Sequence, residues 1–315
     1  MRFLCYNILM NKVYKKSLYF LNKGLLILFF LFGGIFFSYC QAIEIDNSLP
    51  TPEVIISSNT LLQSDTLLII VKNEPKVITG KLGNINLRFF RNQNNQDWIA
   101  ITGMPINKIP GDYKLSINVP GKAIFEKNLS VSKKEFPTTS LIVTPQLASK
   151  GYNAKTIANN VAKENLALSK VLNAITKKSY INKPFIYPLK EIEDVGAFGN
   201  IRKSGNSQLQ HLGVDLKAEP DTPIYAINDG QIVFLKKLTN YGNTLVVDHG
   251  LGVFSIYLHL DSFNVVKGEF VKQGYILGLS GNTGYSIAPH LHFSIRVRGA
   301  TLDPLNFIKT TQAQW

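Results

Sequence analysis

Cysteine is nearly absent from this chain of 315 residues. Its two cysteines, Cys5 and Cys40, both lie close to the N terminus. The rest of the chain has no thiol for a disulfide or a metal ligand, which excludes a disulfide scaffold and a cysteine zinc site there. Stability must come from hydrophobic cores, and a chain of this length can build two of them.

Acidic residues are also scarce, and long hydrophobic runs are few. Residues 1–23 carry five basic and no acidic residues, and an apolar stretch follows at 24–37. This order is typical of a signal sequence. The stretch is shorter than the ~20 residues that span a bilayer comfortably, which favours cleavage over a permanent anchor. We expect residues 1–42 to be a signal sequence, the protein to be exported to a Gram-negative periplasm or envelope, and only this segment to contact a membrane.

The net charge is +13, and the five N-terminal basic residues account for part of it, leaving +8. A basic exported protein suits an anionic partner such as a cell-wall polymer. We expect no nucleic-acid partner.

Only five histidines occur, and four of them lie with one aspartate in three short segments, residues 211–216, 257–260 and 290–297. Each segment alternates polar and apolar residues, which predicts strands whose positions two apart share a face. The polar positions are His211, Gly213 and Asp215; Tyr257 and His259; and His290, His292, Ser294 and Arg296. The pattern predicts an antiparallel sheet with one packed face and one working face, on which Gly213 leaves room between the candidate ligands.

Two imidazoles and one carboxylate suit catalytic Zn²⁺, because a fourth position stays open for water. Iron(II) also accepts such a set. Spacing alone does not choose between His290 and His292 as a ligand. No His-Glu-x-x-His motif occurs, so a histidine must act as the base. Tyr257 is a candidate hydrogen-bond donor to the oxyanion, whereas His249, between Asp and Gly, fits a structural turn.

Several motifs in order between about Pro188 and Ile308 resemble the LytM/lysostaphin-type zinc peptidases. They are Phe198-Gly199, His211 with Asp215, Gly242-Asn243, Asp248-His249-Gly250, Tyr257-x-His259-Leu260, the Gly-rich 271–284 stretch and Pro289-His290-Leu291-His292-Phe293. One departure is Ala288, where family members usually carry Gly. The resemblance implies that His211, Asp215 and His292 bind one Zn²⁺ per chain. It also implies that His259 and His290 stay unligated, with His290 the first candidate for the base and His259 the second.

The resemblance also implies a substrate, the peptide part of peptidoglycan. We expect an endopeptidase that cuts D-Ala to diaminopimelate cross-links during wall growth or division, with wall-synthesis or division proteins as further partners. A carboxypeptidase and a glycyl-bridge endopeptidase are alternatives within the same chemistry. An alternative of another class is a non-catalytic protein that activates a different wall hydrolase.

The upstream sequence predicts two further units. Short apolar runs at hairpin spacing between residues 52 and 131 predict an immunoglobulin-like β-sandwich, placed at 43–138. Helical spacing from Ala154 to Lys177, with Asn153 as the cap, predicts a linker helix within 139–184. The peptidase domain is then 185–315 and the fold class mainly β. We further hypothesise that part of Ile43 to Lys183 docks over the catalytic groove and lowers activity.

Overall fold

The structure is a computed structural model that describes residues 51–205 and 207–313. The expected signal sequence at 1–42 lies outside these residues. Within the described ranges, no helix is both long and apolar enough to cross a membrane.

The N-terminal part is a sandwich of two sheets. One sheet has four strands in the order β1-β3-β7-β6, and the other has five in the order β2-β9-β8-β4-β5. The strands are β1 (Glu53–Ile56), β2 (Thr60–Leu62), β3 (Thr66–Lys72), β4 (Thr79–Leu82), β5 (Ile85–Asn86), β6 (Phe89–Arg91), β7 (Trp98–Gly103), β8 (Gly111–Asn118) and β9 (Phe125–Ser132). Most pairs are antiparallel, and β2 with β9 is parallel.

Strand β3 is buried on both faces because it packs against two partners. Leu67 and Ile69 point into the core between the two sheets of the sandwich. Leu68 and Ile70 belong instead to the core of the C-terminal domain. The contact is reinforced by an ion pair of 2.8 Å between Lys134 Nζ and Asp303 Oδ2. The sandwich is therefore packed directly on the C-terminal domain.

A connecting segment follows the sandwich and contains a strand and two helices. They are β10 (Thr138–Ser140), α1 (Pro145–Ser149) and α2 (Ala154–Leu172). Asn153 caps α2 through a capping box with Thr156, as the sequence indicated for the cap. Helix α2 ends at Leu172, five residues before the predicted end at Lys177.

The C-terminal domain is a ten-stranded sheet with a short hairpin beside it. The strands are β11 (Asp194–Gly196), β12 (Ile201–Ser204), β13 (Ser207–Gln210), β14 (Val214–Lys217), β15 (Pro223–Tyr225), β16 (Gly230–Leu238), β17 (Gly242–Asp248), β18 (Val253–Phe263), β19 (Phe270–Val271), β20 (Ile276–Ser280), β21 (His290–Val297) and β22 (Ala300–Leu302). Helix α3 (Pro304–Ala313) closes the chain. The hairpin β12–β13 pairs with β10, and the large sheet runs β11-β14-β21-β18-β17-β16-β19.

All pairs within the large sheet are antiparallel, and one of its faces is apolar. Val214, Phe293 and Ile295 point into this core, as the alternating pattern predicted. The predicted fold class, mainly β with an antiparallel C-terminal sheet, is confirmed.

Candidate metal centre

The centre lies where β14 and β21 pair. Asp215 is directly opposite His292 in this antiparallel pair. Residues opposite each other in a sheet project to the same face, so both side chains leave the sheet together. His211 comes from the segment just before β14 and reaches the same point.

Three ligand-type atoms form a small triangle. His211 Nε2 is 2.9 Å from Asp215 Oδ1 and 2.9 Å from His292 Nδ1. His292 Nδ1 is also 2.9 Å from Asp215 Oδ1. His290 is set further out, with its Nε2 3.5 Å from the same oxygen. The geometry therefore groups His292, rather than His290, with His211 and Asp215.

Hydrogen bonds on the far side of each ring show which nitrogen carries the proton. His211 Nδ1 is 3.0 Å from the carbonyl of Ala197, which can only accept, so Nδ1 donates. His292 Nε2 is 3.0 Å from Ser294 Oγ, whose own proton goes to the Leu212 carbonyl at 2.8 Å. Ser294 must therefore accept from His292. Both neutral rings then direct a lone pair at the carboxylate oxygen.

Three lone pairs facing one another are an arrangement that a bound cation would satisfy. The donor set of two imidazoles and a carboxylate fits Zn²⁺ or another borderline divalent metal. Burial lowers the pKa of His292 to about 4, which keeps that ring neutral and able to bind a metal.

Two glycines give the ligands their space. A Cβ on Gly213 would lie 2.5 Å from His292 Nε2, and one on Gly196 would lie 2.5 Å from Asp215 Oδ2. Either side chain would push a ligand out of place. The sequence predicted that Gly213 makes room between His211 and Asp215, whereas the structure shows that it makes room for His292.

Arg202, on hairpin β12–β13, holds the outer oxygen of the aspartate. Its Nη2 donates to Asp215 Oδ2 at 3.0 Å, leaving Oδ1 directed at the imidazoles. Contacts of this kind orient metal ligands and tune their charge. No local sequence pattern indicates Arg202, because it lies on a separate hairpin 13 residues before Asp215.

His259 and His290 stand beside the triangle as a second pair of imidazoles. Their ring centres are 4.8 Å apart. His259 Nδ1 donates to the Thr283 carbonyl at 2.7 Å, and His290 Nδ1 donates to the Ala288 carbonyl at 2.8 Å. Each ring therefore keeps its Nε2 lone pair for another partner. Burial, together with the nearby His290 and His292, lowers the pKa of His259 to about 3.

Tyr257 does not lie on this face, contrary to the alternation argument. Its ring packs against Phe293 in the core, with centroids 5.4 Å apart. Its hydroxyl contacts Ser255 Oγ and the Ile227 amide. The reason is a bulge in β18, where Asn243 pairs with Leu260 but Leu245 pairs with Tyr257, leaving one extra residue on β18. The position gives Tyr257 a structural role in the core.

His249 lies away from the centre, as expected for a structural residue. It is fully buried, with Nδ1 donating to the Asp229 carbonyl at 2.8 Å and Nε2 2.8 Å from Ser255 Oγ. Burial lowers the pKa of His249 to about 4.

Helix α2 lies against the working face of the sheet beside the centre. Leu168 packs on the apolar residues Phe254, Ile256 and Leu258. Both carboxylate oxygens of Glu164 accept backbone N–H groups, from Asn240 at 2.9 Å and from Tyr241 at 3.0 Å. The hypothesis that an upstream segment docks at the groove agrees with this position. Its effect on activity stays a prediction.

The fold and the site together define a mainly β protein in which two histidines and one aspartate form a group that fits a metal ion, with two further histidines beside it. Residues 209–304 match Peptidase family M23. This part of the chain is a domain of that peptidase family.

Two relatives illustrate the range of similar proteins. The chain is 38% identical over 96 residues to the DD-carboxypeptidase/endopeptidase Mpg of Neisseria meningitidis serogroup B, covering 30% of this chain and 22% of Mpg. It is 44% identical over 107 residues to the glycyl-glycine endopeptidase ALE-1 of Staphylococcus capitis, covering 32% of this chain and 29% of ALE-1. The chain thus spans less than a third of the length of either relative.

Among solved structures, an M23 peptidase from Pseudomonas aeruginosa shares the fold over a longer stretch. The similarity covers 76% of this chain and 92% of that one, with a TM-score of 0.53 and 23% identity.

Proposed function

We propose that the protein is an exported zinc metallo-endopeptidase that hydrolyses peptide cross-links of peptidoglycan during wall growth or division. The observation that carries the proposal is the set of three converging lone pairs on His211, Asp215 and His292, with two further imidazoles at hand. A protein that only binds another hydrolase needs neither feature.

His211, Asp215 and His292 would hold the metal. When bound, Zn²⁺ supplies Lewis-acid chemistry that polarises the scissile carbonyl and makes a water molecule acidic. Arg202 keeps Asp215 oriented for this purpose. The family relation and the donor set support zinc as the metal.

His290 and His259 perform the proton transfers. We assign His290 Nε2 as the general base, because its Nδ1 proton is committed to Ala288 and its Nε2 faces Asp215 at the edge of the centre. His259, anchored through Nδ1 to Thr283, is neutral before the reaction. In this scheme it receives on Nε2 the proton that His290 takes from water, stabilises the developing oxyanion and passes that proton to the leaving amine. The two roles need opposite protonation states, which two adjacent imidazoles can provide.

The bond we propose is D-Ala to diaminopimelate. The signal-like segment at 1–42 supports export, and the Neisseria relative is named as a DD-carboxypeptidase/endopeptidase. The staphylococcal relative is named as a glycyl-glycine endopeptidase, so the experiment must include both bonds.

The test uses the chain from residue 43 onward, loaded with zinc. Metal content is measured by elemental analysis, and purified sacculi with either type of cross-link are digested and analysed by mass spectrometry. We expect one zinc per chain and conversion of D-Ala to diaminopimelate dimers into monomers, with the His290→Ala variant as the zinc-containing inactive control. Cleavage of glycyl bridges alone would overturn the proposed bond. A zinc-loaded protein that releases no muropeptide from either substrate would overturn the catalytic function and favour the activator alternative.

A further inference from the structure

A groove leads away from the metal centre between helix α2 and the sheet. Its sheet side carries His292, Ser294 and Arg296, which project from β21 to the same face. Its helix side carries Val161 and Leu168. At 3.3 Å per strand residue, Arg296 lies ~13 Å along β21 from His292.

Arg296 at the far end of this groove has no acidic partner. Among the described residues no carboxylate lies within ion-pair distance of it. Within the part of the chain that the structure describes, its hydrogen bonds go from Nη1 to the carbonyls of Leu212 and Ile295, both at 3.3 Å. A guanidinium offers five donors, so most of its fork is left for another acceptor.

The charge is nevertheless retained. Burial lowers the pKa of Arg296 to about 10, so that the guanidinium stays protonated at neutral pH. The single acidic residue of α2, Glu164, is committed to the amides of Asn240 and Tyr241. A partly buried cation without an anionic partner is costly, and a planar bidentate anion would compensate for it.

Tyr241 adds a neutral polar group to the same groove. Its hydroxyl donates to Asn165 Oδ1 at 2.8 Å, at the border with α2. Burial raises the pKa of Tyr241 to about 12, so it carries no competing negative charge at neutral pH. The groove is therefore cationic at this end and lined by aliphatic side chains between that end and the metal centre.

We propose that Arg296 binds a carboxylate of the substrate stem peptide, a few residues from the bond that is cut. The inference rests on the proposed function, because it identifies a subsite for the same substrate. Arg296 is a specificity-determining residue in this scheme and takes no part in the proton transfers. Its guanidinium selects stem peptides with a free carboxylate over amidated ones.

The experiment compares two cross-linked muropeptide substrates that differ only in the state of their side carboxyl groups, free or amidated. Wild-type protein, Arg296→Met, Arg296→Lys and Lys237→Met are each assayed for kcat and KM. Lys237 is exposed. The Lys237→Met variant therefore removes one positive charge away from the groove and controls for the effect of net charge alone. We expect wild type to show a roughly 10- to 100-fold lower KM for the free acid, the usual range for a hydrogen bond to a charged group.

The variants separate recognition from a purely structural role. Arg296→Met should lose the preference by raising KM for the free acid alone, Arg296→Lys should retain part of it, and Lys237→Met should behave as wild type. If Arg296 merely supports the Leu212 carbonyl near His211, Arg296→Met would lower kcat for both substrates equally, and the proposal is overturned. The circular dichroism melting curve of each variant shows whether it is folded. If Arg296→Met does not fold, the KM values of Arg296→Lys for the free and amidated substrates test the subsite instead.

Failure of the subsite can be told apart from failure of the function. A wild-type protein that cleaves both substrates with equal KM overturns the carboxylate subsite and leaves the peptidase proposal standing. A wild-type protein that cleaves neither overturns the peptidase proposal itself.

Discussion

Asp215 and His292 face each other across the β14–β21 pair, and this register places Oδ1 of one 2.9 Å from Nδ1 of the other. A shift of one residue in either strand would send one of the two ligands into the core, because strand side chains alternate. The centre is thus fixed by strand register, with His211 added from the preceding segment.

The first prediction concerns the ligands. His211→Ala, Asp215→Ala and His292→Ala should each lose bound zinc and abolish activity, because removal of one ligand destroys the closed set of donors. Zinc content after dialysis and muropeptide release are the measurements. Any of the three that kept both full zinc and full activity would show that its residue is not a ligand.

The second prediction separates metal binding from chemistry. His290→Ala and His259→Ala should keep zinc but lose roughly 10²-fold or more in kcat, the usual scale of general acid–base catalysis. The ligand variants above serve as the comparison. Loss of zinc in His290→Ala, with zinc retained in His292→Ala, would reverse the assignment of these two residues.

Part of this centre could be predicted from sequence, because alternation places Asp215 of β14 and His292 of β21 on one face. The same pattern predicted a strand from His211, but β14 begins at Val214, so His211 reaches the centre from the segment before the strand. Alternation failed at 257–260. His259 adopts a positive φ of 64° at a β-bulge, which turns it back toward the centre while Tyr257 points into the core. A bulge depends on the register of two strands, and nothing local in Tyr257-Leu258-His259 indicates it.

Contacts made by residues of other helices and strands could also not be predicted from the sequence pattern. Arg202 reaches Asp215 from a separate hairpin, and Glu164 reaches the Asn240 amide from a helix 76 residues earlier. The cap of that helix was predictable, since Asn153 and Thr156 act over three residues. The surface of the sheet on which the helix packs was not predictable, because it forms only when the strands of the sheet come together.

The third prediction addresses Arg202. Arg202→Met should weaken zinc affinity roughly 10- to 100-fold, the scale reported for partners that orient metal ligands. Competition with a chromogenic chelator measures it, and Lys203→Met on the same hairpin is the control. Unchanged zinc affinity in Arg202→Met would show that the hydrogen bond from Arg202 is not required to orient the Asp215 carboxylate.

The fourth prediction is a pH dependence of stability caused by His249. Its pKa falls from an ordinary 6.5 to about 4 in the folded protein, mainly through burial. Below pH 6.5 the unfolded chain binds a proton that the folded chain does not, so the free energy of unfolding should fall as pH is lowered from 6.5 to about 4. The full loss is roughly 3 kcal/mol for a shift of this size.

Other buried histidines also titrate, so the measurement is a comparison between wild type and His249→Gln. Urea unfolding at several pH values should give a shallower decline for the variant, although its stability at pH 7 is lower because the Asp229 and Ser255 contacts change. Identical slopes for the two proteins would show that His249 is not the source.

The last prediction tests whether helix α2 restrains the enzyme, as the sequence-based hypothesis holds. Glu164→Ala removes both acceptors that tie the helix to the Asn240 and Tyr241 amides, and a hydrogen bond to a charged group contributes about 1.5 to 3 kcal/mol. The undocked population should therefore rise by roughly 10-fold or more. We expect faster amide hydrogen exchange in Ala154–Leu172 and a higher rate of muropeptide release, with the exposed Lys163→Ala on the same helix as the matched control. Faster amide exchange without faster muropeptide release would contradict the hypothesis. The helix would then be a wall of the groove whose movement does not change access of the substrate to the centre.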